Sequence, residues 1–159
     1  MKELLPIYTE RLKLIETSVD DIDLILKMDK QEETQLFLGG IKNKSREERL
    51  DFLSRKKNSL TVLLDNKRIG FVGLKVNEDK AEVSYIFDSD YTGNGYCSEV
   101  VKKLIDVAFN KLNVNKLYAY TKEDNVSSIK VLTKNGFIKK DNENEEFIYY
   151  ELERGSLWK

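Results

Sequence analysis

The stretch of sequence that decides the fold is residues 81–121, which read AEVSYIFDSDYTGNGYCSEVVKKLIDVAFNKLNVNKLYAYT. Residues that favour strands fill its two ends, so Ala81 to Asp88 and Lys116 to Thr121 are predicted to be strands. Between them, apolar pairs recur at helical spacing up to Leu112, which predicts a helix. A strand, a helix and a further strand in this order favour a parallel strand pair joined by a right-handed crossover.

The segments on either side of this unit predict further strands and helices of one mixed sheet. Strands are expected at 7–14, 60–64, 69–76, 137–138 and 147–152, and helices at 18–28, 45–56 and around 129–132 with an Asn135-Gly136 cap. The order β-α-α-β-β-β-α-β-α-β-β is typical of an α/β (α+β) fold. No repeat, low-complexity tract or Pro/Gly linker marks a boundary, so we expect a single domain over residues 1–159.

Composition restricts the partners and the location of the protein. Hydrophobic residues make up 40% and charged residues 35%, which is typical of a globular protein. The net charge of −1 argues against a nucleic-acid partner, which would need a strongly basic face. No apolar run reaches the roughly 18 residues of a membrane span, and the N-terminus lacks the apolar block of a signal peptide. A single cysteine favours a reducing compartment, so a cytoplasmic protein without a membrane partner is predicted.

The absence of histidine from the sequence excludes several kinds of chemistry. A Ser-His-Asp or Cys-His relay cannot be assembled, and zinc sites built on histidine are excluded. One cysteine cannot form a thiolate cage, so we expect no metal. Proton transfer must therefore use Glu, Asp, Tyr, Lys, Cys or water.

The segment that follows the strand at 81–88 is rich in glycine and reads DYTGNGYCSE over residues 90–99. Gly93 and Gly95 allow a sharp bend and a close approach of a ligand to the backbone. Amide groups that converge at the start of a helix favour a phosphate or a pyrophosphate, although a plain turn opening a helix is the alternative. A dinucleotide fingerprint fails because position 98 is Ser, and no glycine here is followed by lysine as a Walker loop requires.

This glycine-rich segment resembles the coenzyme A-binding motif of the GNAT acetyltransferases, Gln/Arg-x-x-Gly-x-Gly/Ala. Downstream, Asn125-Val126-Ser127-Ser128 and then Asn135-Gly136-Phe137 resemble the second motif of the family, Asn-x-x-Ala/Ser…Gly-Phe. The opening Thr9-Glu10-Arg11-Leu12-Lys13-Leu14 is similar to the first strand of the ribosomal-protein N-terminal acetyltransferase branch. The similarity covers essentially the whole chain. It implies a GNAT-like fold, a central mostly antiparallel sheet with one parallel strand pair at the acetyl-CoA site and about four flanking helices.

The resemblance also implies a co-substrate and the residues that bind it. Acetyl-CoA would donate an acetyl group to a primary amine, with its pyrophosphate on the loop amides and its pantetheine arm along the preceding strand. The donor-binding residues implied in this way are Tyr85, Ile86, Phe87, Thr92, Gly93, Asn94, Gly95, Tyr96, Cys97, Ser98, Asn125 and Ser128.

Three residues depart from the family pattern. Asp90 replaces the leading Gln/Arg, which leaves the phosphate-binding amides intact but alters the support of the loop. Cys97 stands where Gly or Ala is usual, and we interpret it as a packing residue rather than a nucleophile. Leu132 occupies the place of a tyrosine that in many members protonates the leaving thiolate, so that role must fall elsewhere or be dispensed with.

Two residues are candidates for catalysis. Glu82 lies in an otherwise mostly apolar strand, where an unpaired carboxylate is costly, and family members often place a base on this strand. The alternative for Glu82 is a salt-bridged glutamate at the end of the sheet. Ser128 can hydrogen-bond the thioester or the departing sulfur, and its alternative role is to complete the helix cap of Asn125.

The identity of the acceptor is open at the level of sequence. A protein N-terminal α-amine is favoured, a small amine such as a polyamine or an aminoglycoside is the second interpretation, and a non-catalytic acyl-CoA sensor is the third. The acidic turn from Asp141 to Glu146 either attracts a cationic acceptor or is a solvated hairpin. Trp158 either covers an apolar patch or serves a homodimer contact, and the sequence leaves both open.

Overall fold

The computed structural model describes residues 1–144 and 146–156. Within them lie five α-helices, α1 (Ile22–Asp29), α2 (Glu32–Gln35), α3 (Arg46–Arg55), α4 (Tyr96–Asn110) and α5 (Val126–Lys134). The strands there are β1 (Ile7–Tyr8), β2 (Lys13–Glu16), β3 (Ser59–Leu64), β4 (Lys67–Asn77), β5 (Lys80–Phe87), β6 (Lys116–Thr121), β7 (Ile138–Lys140) and β8 (Ile148–Glu153). Short 3-10 helices occupy Lys2–Leu4, Val19–Asp21 and Ser89–Tyr91. None of the helices in the described part of the chain has the length and apolar character needed to cross a membrane.

The strands hydrogen-bond in the order β1-β2-β3-β4-β5-β6-β8-β7. Strands β5 and β6 are parallel, with Lys80, Ala81 and Glu82 opposite Lys116, Leu117 and Tyr118. The pairs β1–β2, β2–β3, β6–β8 and β7–β8 are antiparallel. The prediction of a mostly antiparallel sheet with one parallel pair is therefore confirmed, as are the helices predicted at 45–56 and around 129–132.

The prediction of one continuous strand over residues 7–14 was wrong. Strands β1 and β2 are instead an antiparallel pair, with Ile7 opposite Leu14 and Tyr8 opposite Lys13. The turn between them is closed by the Thr9 N–H, which donates to the Leu12 carbonyl at 2.9 Å. The Leu12 N–H donates in return to Thr9 Oγ1 at 3.0 Å. A threonine side chain that binds the backbone locally competes with the extended strand, which explains the difference.

The chain divides into two compact units, and the first comprises Met1–Gly73 and Tyr85–Tyr96. Its apolar cluster consists of Ile22, Leu24, Ile25, Met28, Leu53 and Phe71, with Leu26, Leu50 and Ile86 packed against it. Helix α3 begins with a capping box, because Ser45 Oγ accepts from the Glu48 N–H and the Glu48 carboxylate accepts from the Ser45 N–H. Helix α3, which contributes Leu53 to this cluster, therefore has a defined start.

The second unit comprises Leu74–Ser84 and the residues from Cys97 onward. Helix α4 buries an apolar stripe made of Val100, Val101, Leu104, Ile105, Val107, Ala108 and Phe109. Helix α5 ends at Lys134 and is followed by Asn135 and by Gly136, which has a φ of 89°. The Phe137 N–H donates to the Leu132 carbonyl at 3.0 Å, so the predicted glycine cap of this helix is confirmed. The expectation that residues 1–159 are a single domain stays a prediction.

Candidate functional site

Residues 88–95, which we call the glycine loop, connect the end of β5 to the start of α4. Gly93 and Gly95 have φ values of 82° and 80°, in the left-handed region that only glycine adopts without strain. The Thr92 hydroxyl donates to the Ser89 carbonyl at 3.0 Å, and Asn94 Nδ2 donates to the Thr92 carbonyl at 3.2 Å. The loop thus forms a sharp turn that leads directly into α4, a helix of 15 residues. The positive, N-terminal end of this helix favours an anion.

The glycine loop is anchored at its first residue, Asp88, which is only 1% exposed. Lys27 of α1 places its Nζ 2.7 Å from Asp88 Oδ2 and 2.8 Å from Asp90 Oδ2. Gln31 Nε2 donates to Asp88 Oδ1 at 2.8 Å, while Gln31 Oε1 accepts from the Ser89 N–H at 2.9 Å. The residue that replaces the usual Gln/Arg of the motif, Asp90, is therefore supported by a lysine from α1.

The charges of this anchor are fixed by their mutual contacts. Burial alone would raise the pKa of Asp88, but hydrogen bonds from Lys27 and Gln31 outweigh burial and hold the pKa below its usual value. Hydrogen bonds to Asp88 and then to Asp90 raise the pKa of Lys27 well above its usual range. The carboxylate of Asp88 and the ammonium group of Lys27 are consequently both ionised at neutral pH. Sequence reasoning missed Lys27, because a polar residue on an amphipathic helix is interpreted as part of a solvated face, and it missed Gln31, which lies between α1 and α2.

Arg11, in the turn between β1 and β2, lies beside the other end of the glycine loop. Its Cζ is 4.5 Å from the centroid of the Tyr96 ring. A Cβ atom placed on Gly95 would lie 3.5 Å from Arg11 Nη2. The guanidinium group therefore stacks on the first residue of α4 and borders the second glycine of the loop.

The other predicted donor-binding residues lie on β5, α4 and α5. Tyr85, Ile86 and Phe87 form the last three residues of β5, in the first unit. In the second unit, Ser98 Oγ accepts from Asn135 Nδ2 at 3.1 Å, a bond that joins α4 to the end of α5. Burial raises the pKa of the Cys97 thiol to about 12, so the thiol is protonated at neutral pH. This agrees with the interpretation of Cys97 as a packing residue.

Asn125 and Ser128 form the N-terminal cap of α5. Asn125 Oδ1 accepts from the Ser128 N–H at 3.2 Å and from the Ser127 hydroxyl at the same distance. Leu132, one turn further along, is 0% exposed. A buried aliphatic side chain therefore occupies this position of α5. The hydrogen bond from Ser128 also establishes the capping role of Asn125.

Glu82 lies on β5 directly opposite Tyr118 of β6. The carboxylate of Glu82 is half-buried, and within residues 1–144 and 146–156 it forms no ion pair or hydrogen bond. Glu151 of β8 lies opposite Tyr118 on the other side of β6. Unlike Glu82, Glu151 has partners, because it accepts from Lys116 Nζ and from the Tyr149 hydroxyl, each at 2.9 Å. The described residues thus do not support the alternative of a salt-bridged Glu82.

Strands β5, β6, β7 and β8 present one side-chain face in the second unit that we call the Glu82 face. Three tyrosine rings meet on it, with centroids 6.1 Å apart for Tyr118 and Tyr120, 6.0 Å for Tyr118 and Tyr149, and 5.1 Å for Tyr120 and Tyr149. The strand register adds the charged residues Glu82, Glu151, Glu153, Lys80, Lys116 and Lys140 to the same face. Acidic and basic residues therefore balance there.

Three side chains of the Glu82 face have shifted pKa values, and each shift favours the charge state that the group has at neutral pH. Burial and then the charge of Glu82 raise the pKa of Tyr118. Burial and then the hydrogen bond to Glu151 raise the pKa of Tyr149 well above its usual range. For Glu151, burial alone would raise the pKa, but hydrogen bonds from Lys116 and Tyr149 outweigh it and lower the pKa. The phenols stay protonated, and Glu151 stays ionised.

The described residues of the acidic turn are either ion-paired or exposed. Glu146 is paired with Lys122 Nζ at 2.7 Å, while Asp141 and Glu143 are exposed, which favours the solvated hairpin. Glu145 and Trp158 lie outside the described residues, so the role predicted for Trp158 stays open. Among the described residues, no group of three His, Cys, Asp or Glu side chains is arranged to hold a metal ion.

Comparison with known proteins shows where this architecture recurs. Residues 11–138 match the family model described as Acetyltransferase (GNAT) domain. An uncharacterized N-acetyltransferase of Bacillus licheniformis, p20, is 27% identical over 146 residues, which cover 84% of this chain and 82% of that protein.

Solved structures show the same fold at low sequence identity. A GNAT-family acetyltransferase from Bacillus anthracis superposes with a TM-score of 0.83 at 19% identity, covering 94% of this chain and 98% of its own. The spermidine N-acetyltransferase of Vibrio cholerae, solved with CoA and spermine, superposes with a TM-score of 0.79 at 16% identity. The match covers 94% of this chain and 99% of that chain. RimL, a ribosomal L7/L12 alpha-N-protein acetyltransferase solved with coenzyme A, superposes with a TM-score of 0.77 at 16% identity. The match covers 91% of this chain and 95% of that chain.

Proposed function

Because the chain belongs to the GNAT family of acetyl-CoA-dependent N-acetyltransferases, we propose that its acceptor is a primary amine, the α-amine of a polypeptide N-terminus. The observation that carries this proposal is Glu82, a half-buried carboxylate without an ion pair in the described residues, on a face where glutamates and lysines are equal in number. Such a carboxylate is available to accept a proton from an amine. The composition, with its single cysteine, supports a cytoplasmic location for this reaction.

The donor site that we propose is the glycine loop together with the end of β5. The backbone amides of residues 92–98 would bind the pyrophosphate at the start of α4, where the positive end of the helix favours an anion. The backbone of Tyr85, Ile86 and Phe87 would pair with the pantetheine arm. The left-handed φ values of Gly93 and Gly95 and the buried anchor at Asp88 support this assignment, since the glycines permit the sharp turn and the anchor fixes the start of the loop.

The chemistry of the acceptor favours an α-amine. An amine attacks a thioester only when it is neutral, and at pH 7 deprotonation costs about 4.6 kcal/mol for a lysine but only about 1–1.4 kcal/mol for an α-amine. The amine nitrogen attacks the thioester carbonyl carbon, the carbon–sulfur bond breaks, and Glu82 accepts the proton that the amine loses. An α-amine needs less help from this base than a lysine does, which suits a chain without histidine.

The leaving group needs no dedicated strong acid. A coenzyme A thiolate resembles that of cysteine, with a pKa near 8.5, and is a tolerable leaving group near neutral pH. We assign to Ser128 a weak hydrogen bond to the departing sulfur, with the final proton taken from solvent. Leu132 cannot donate a proton, and its side chain is fully buried.

A polyamine acceptor receives less support. A multiply charged cation would be recognised by an acidic surface, whereas lysines on the Glu82 face match its glutamates in number. Glu146 of the acidic turn is likewise paired with Lys122. The spermidine enzyme of Vibrio cholerae shares the fold, but the charges of this chain favour an acceptor with a single ionisable amine.

The test is thiol release from acetyl-CoA with a panel of acceptors at saturating donor. The panel contains a peptide with a free N-terminus and no lysine, the same peptide N-acetylated with one lysine, spermidine and an aminoglycoside. We expect the highest kcat/KM with the free N-terminus. A preference for spermidine or the aminoglycoside would replace the acceptor assignment, and donor binding without release with any acceptor would leave a sensor domain.

A further inference from the structure

The Glu82 face carries a cluster of three tyrosines to which the proposed reaction gives no role. Tyr118 and Tyr120 lie on the same side of β6, and Tyr149 of β8 lies opposite Tyr120. The ring centroids are 6.1 Å apart for Tyr118 and Tyr120 and 5.1 Å apart for Tyr120 and Tyr149. Tyr118 in turn lies opposite Glu82 on the neighbouring strand. The cluster therefore begins beside the proposed base and extends from there along β6.

Tyr120 is the member of this cluster that is open to solvent. It is 46% exposed, whereas Tyr118 and Tyr149 are half-buried. The Nζ of Lys80 lies 5.6 Å from the ring centroid of Tyr118, and the Tyr149 hydroxyl donates to Glu151 at 2.9 Å. Because the two rings beside Tyr120 have partners of their own, Tyr120 presents an aromatic surface that is already formed in the absence of a ligand.

The surroundings of the cluster favour an apolar ligand over a cationic one. Raised pKa values keep the hydroxyls of Tyr118 and Tyr149 protonated at neutral pH, so these two side chains are uncharged. Lys80 lies beside Tyr118, and Lys140 is directly opposite Tyr149 across β7 and β8. A further cation would meet these two lysines, whereas a hydrocarbon or aromatic group gains by covering an exposed ring.

The distance from Glu82 sets the length of a group that can contact Tyr120. An α-nitrogen must lie about 3 Å from the Glu82 carboxylate to transfer its proton directly. Tyr120 follows Tyr118, the residue opposite Glu82, by two positions, which is about 7 Å along a strand. An alanine or serine side chain on the first residue of the acceptor is too short to span this separation. Leucine, methionine and phenylalanine side chains are long enough.

We propose that Tyr120 determines specificity by contacting the side chain of the first residue of the acceptor, and that it selects a large apolar side chain there. The proposal rests on the function proposed above and narrows its substrate class to polypeptides that begin with such a residue. Covering the ring of Tyr120 removes apolar surface from water, which favours binding. A first residue as small as serine would leave the ring exposed.

The experiment measures kcat and KM at saturating acetyl-CoA for four lysine-free peptides that differ only in their first residue: serine, leucine, phenylalanine or arginine. We expect kcat/KM for leucine and phenylalanine to exceed that for serine by about 10- to 100-fold, mainly through a lower KM. Tyr120→Ala should remove this preference and leave the serine peptide unchanged. Tyr120→Phe should keep the preference, because it keeps the ring.

Tyr8→Ala is the matched control, because Tyr8 is a tyrosine of β1 that is 60% exposed and lies outside the Glu82 face. Its peptide preference should equal that of the wild type, and circular dichroism should show all variants folded. Equal kcat/KM for all peptides, or a preference that survives in Tyr120→Ala, would overturn the proposal. So would an equal loss with every peptide in Tyr120→Ala, which indicates a structural role, or a preference for arginine, which indicates a cation site.

The same panel separates this proposal from the function on which it rests. If the peptides are acetylated without a preference for a large apolar first residue, only the role of Tyr120 is wrong. If no peptide is acetylated but spermidine or an aminoglycoside is, the proposed acceptor is wrong and the role of Tyr120 is overturned with it.

Discussion

Lys27 and Asp88 form an ion pair of 2.7 Å that joins helix α1 to the first residue of the glycine loop. The carboxylate is almost fully buried, whereas the lysine side chain is 47% exposed. Asp88 also accepts from Gln31 and from the Asp90 N–H, so its oxygens are engaged on several sides. The conformation of a loop that we assign to donor binding thus depends on a helix that precedes it by much of the chain.

Replacing Lys27 by methionine measures how much its ion pairs with Asp88 and Asp90 contribute to stability and to donor binding. The variant leaves a buried carboxylate without its cation, so we expect the free energy of unfolding to fall by about 1–3 kcal/mol and acetyl-CoA affinity to fall with it. Urea unfolding and calorimetry measure the two effects. Arg46→Met is the matched control, since it removes an exposed ion pair of 3.2 Å to Asp23 and should cost about 0.5 kcal/mol or less. Equal losses in both variants would contradict the anchoring role.

The pH dependence of stability tests the same anchor through Asp88. Because contacts in the folded state lower its pKa, the Asp88 carboxylate contributes stability above pH ~4, and this is lost as the pH falls through the lowered pKa. We therefore expect Asp88→Asn to be less stable than the wild type at pH 7 and the difference to shrink below pH ~4. Urea unfolding at pH 7 and pH 3 measures it. A difference that stays constant over this range would mean that the ionised carboxylate is not what matters.

These contacts show where sequence reasoning succeeds and where it stops. The glycine cap after α5 and the parallel pair of β5 with β6 were predicted from apolar periodicity and a turn signal, both of which are local. The ion pair of Lys27 with Asp88 joins residues that are far apart in sequence. No local sequence pattern at either residue predicts that the two are paired. The turn at Thr9 was missed because a hydrogen bond to the Thr9 side chain stabilises the turn, although the residues themselves favour a strand.

The donor site can be tested with two glycines that share the same backbone strain. Gly93 and Gly155 have φ values of 82° and 87°, and a Cβ atom on either would meet nothing within 4 Å. A glutamate at either position therefore costs similar strain, but only Gly93→Glu places a negative charge in the glycine loop. Calorimetry should show acetyl-CoA affinity strongly reduced in Gly93→Glu and unchanged in Gly155→Glu. Similar affinities in the two variants would contradict the site.

The absence of a dedicated general acid can be tested at Ser128 and Leu132. A general acid typically contributes about 10²–10⁴-fold, so Ser128→Ala should lower kcat by less than roughly 10²-fold. Leu132→Tyr should give no large gain in kcat and should lower the melting temperature, because Leu132 is fully buried and a larger ring overpacks its site. Steady-state kinetics at saturating acetyl-CoA measures both. A thousandfold collapse in Ser128→Ala with donor affinity unchanged would make Ser128 the acid.

The central claim is that Glu82 accepts a proton from an α-amine, and the most direct test is the pH profile of kcat for Glu82→Gln. Glu151→Gln is the control, because Glu151 lies in the same cross-strand row but is already paired with Lys116. We predict that Glu82→Gln lowers kcat by roughly 10²–10⁴-fold, removes the acidic limb of the profile, and affects a free N-terminus less than a lysine acceptor. An acidic limb that survives in Glu82→Gln, with only the melting temperature reduced, would contradict the account and return Glu82 to a structural role.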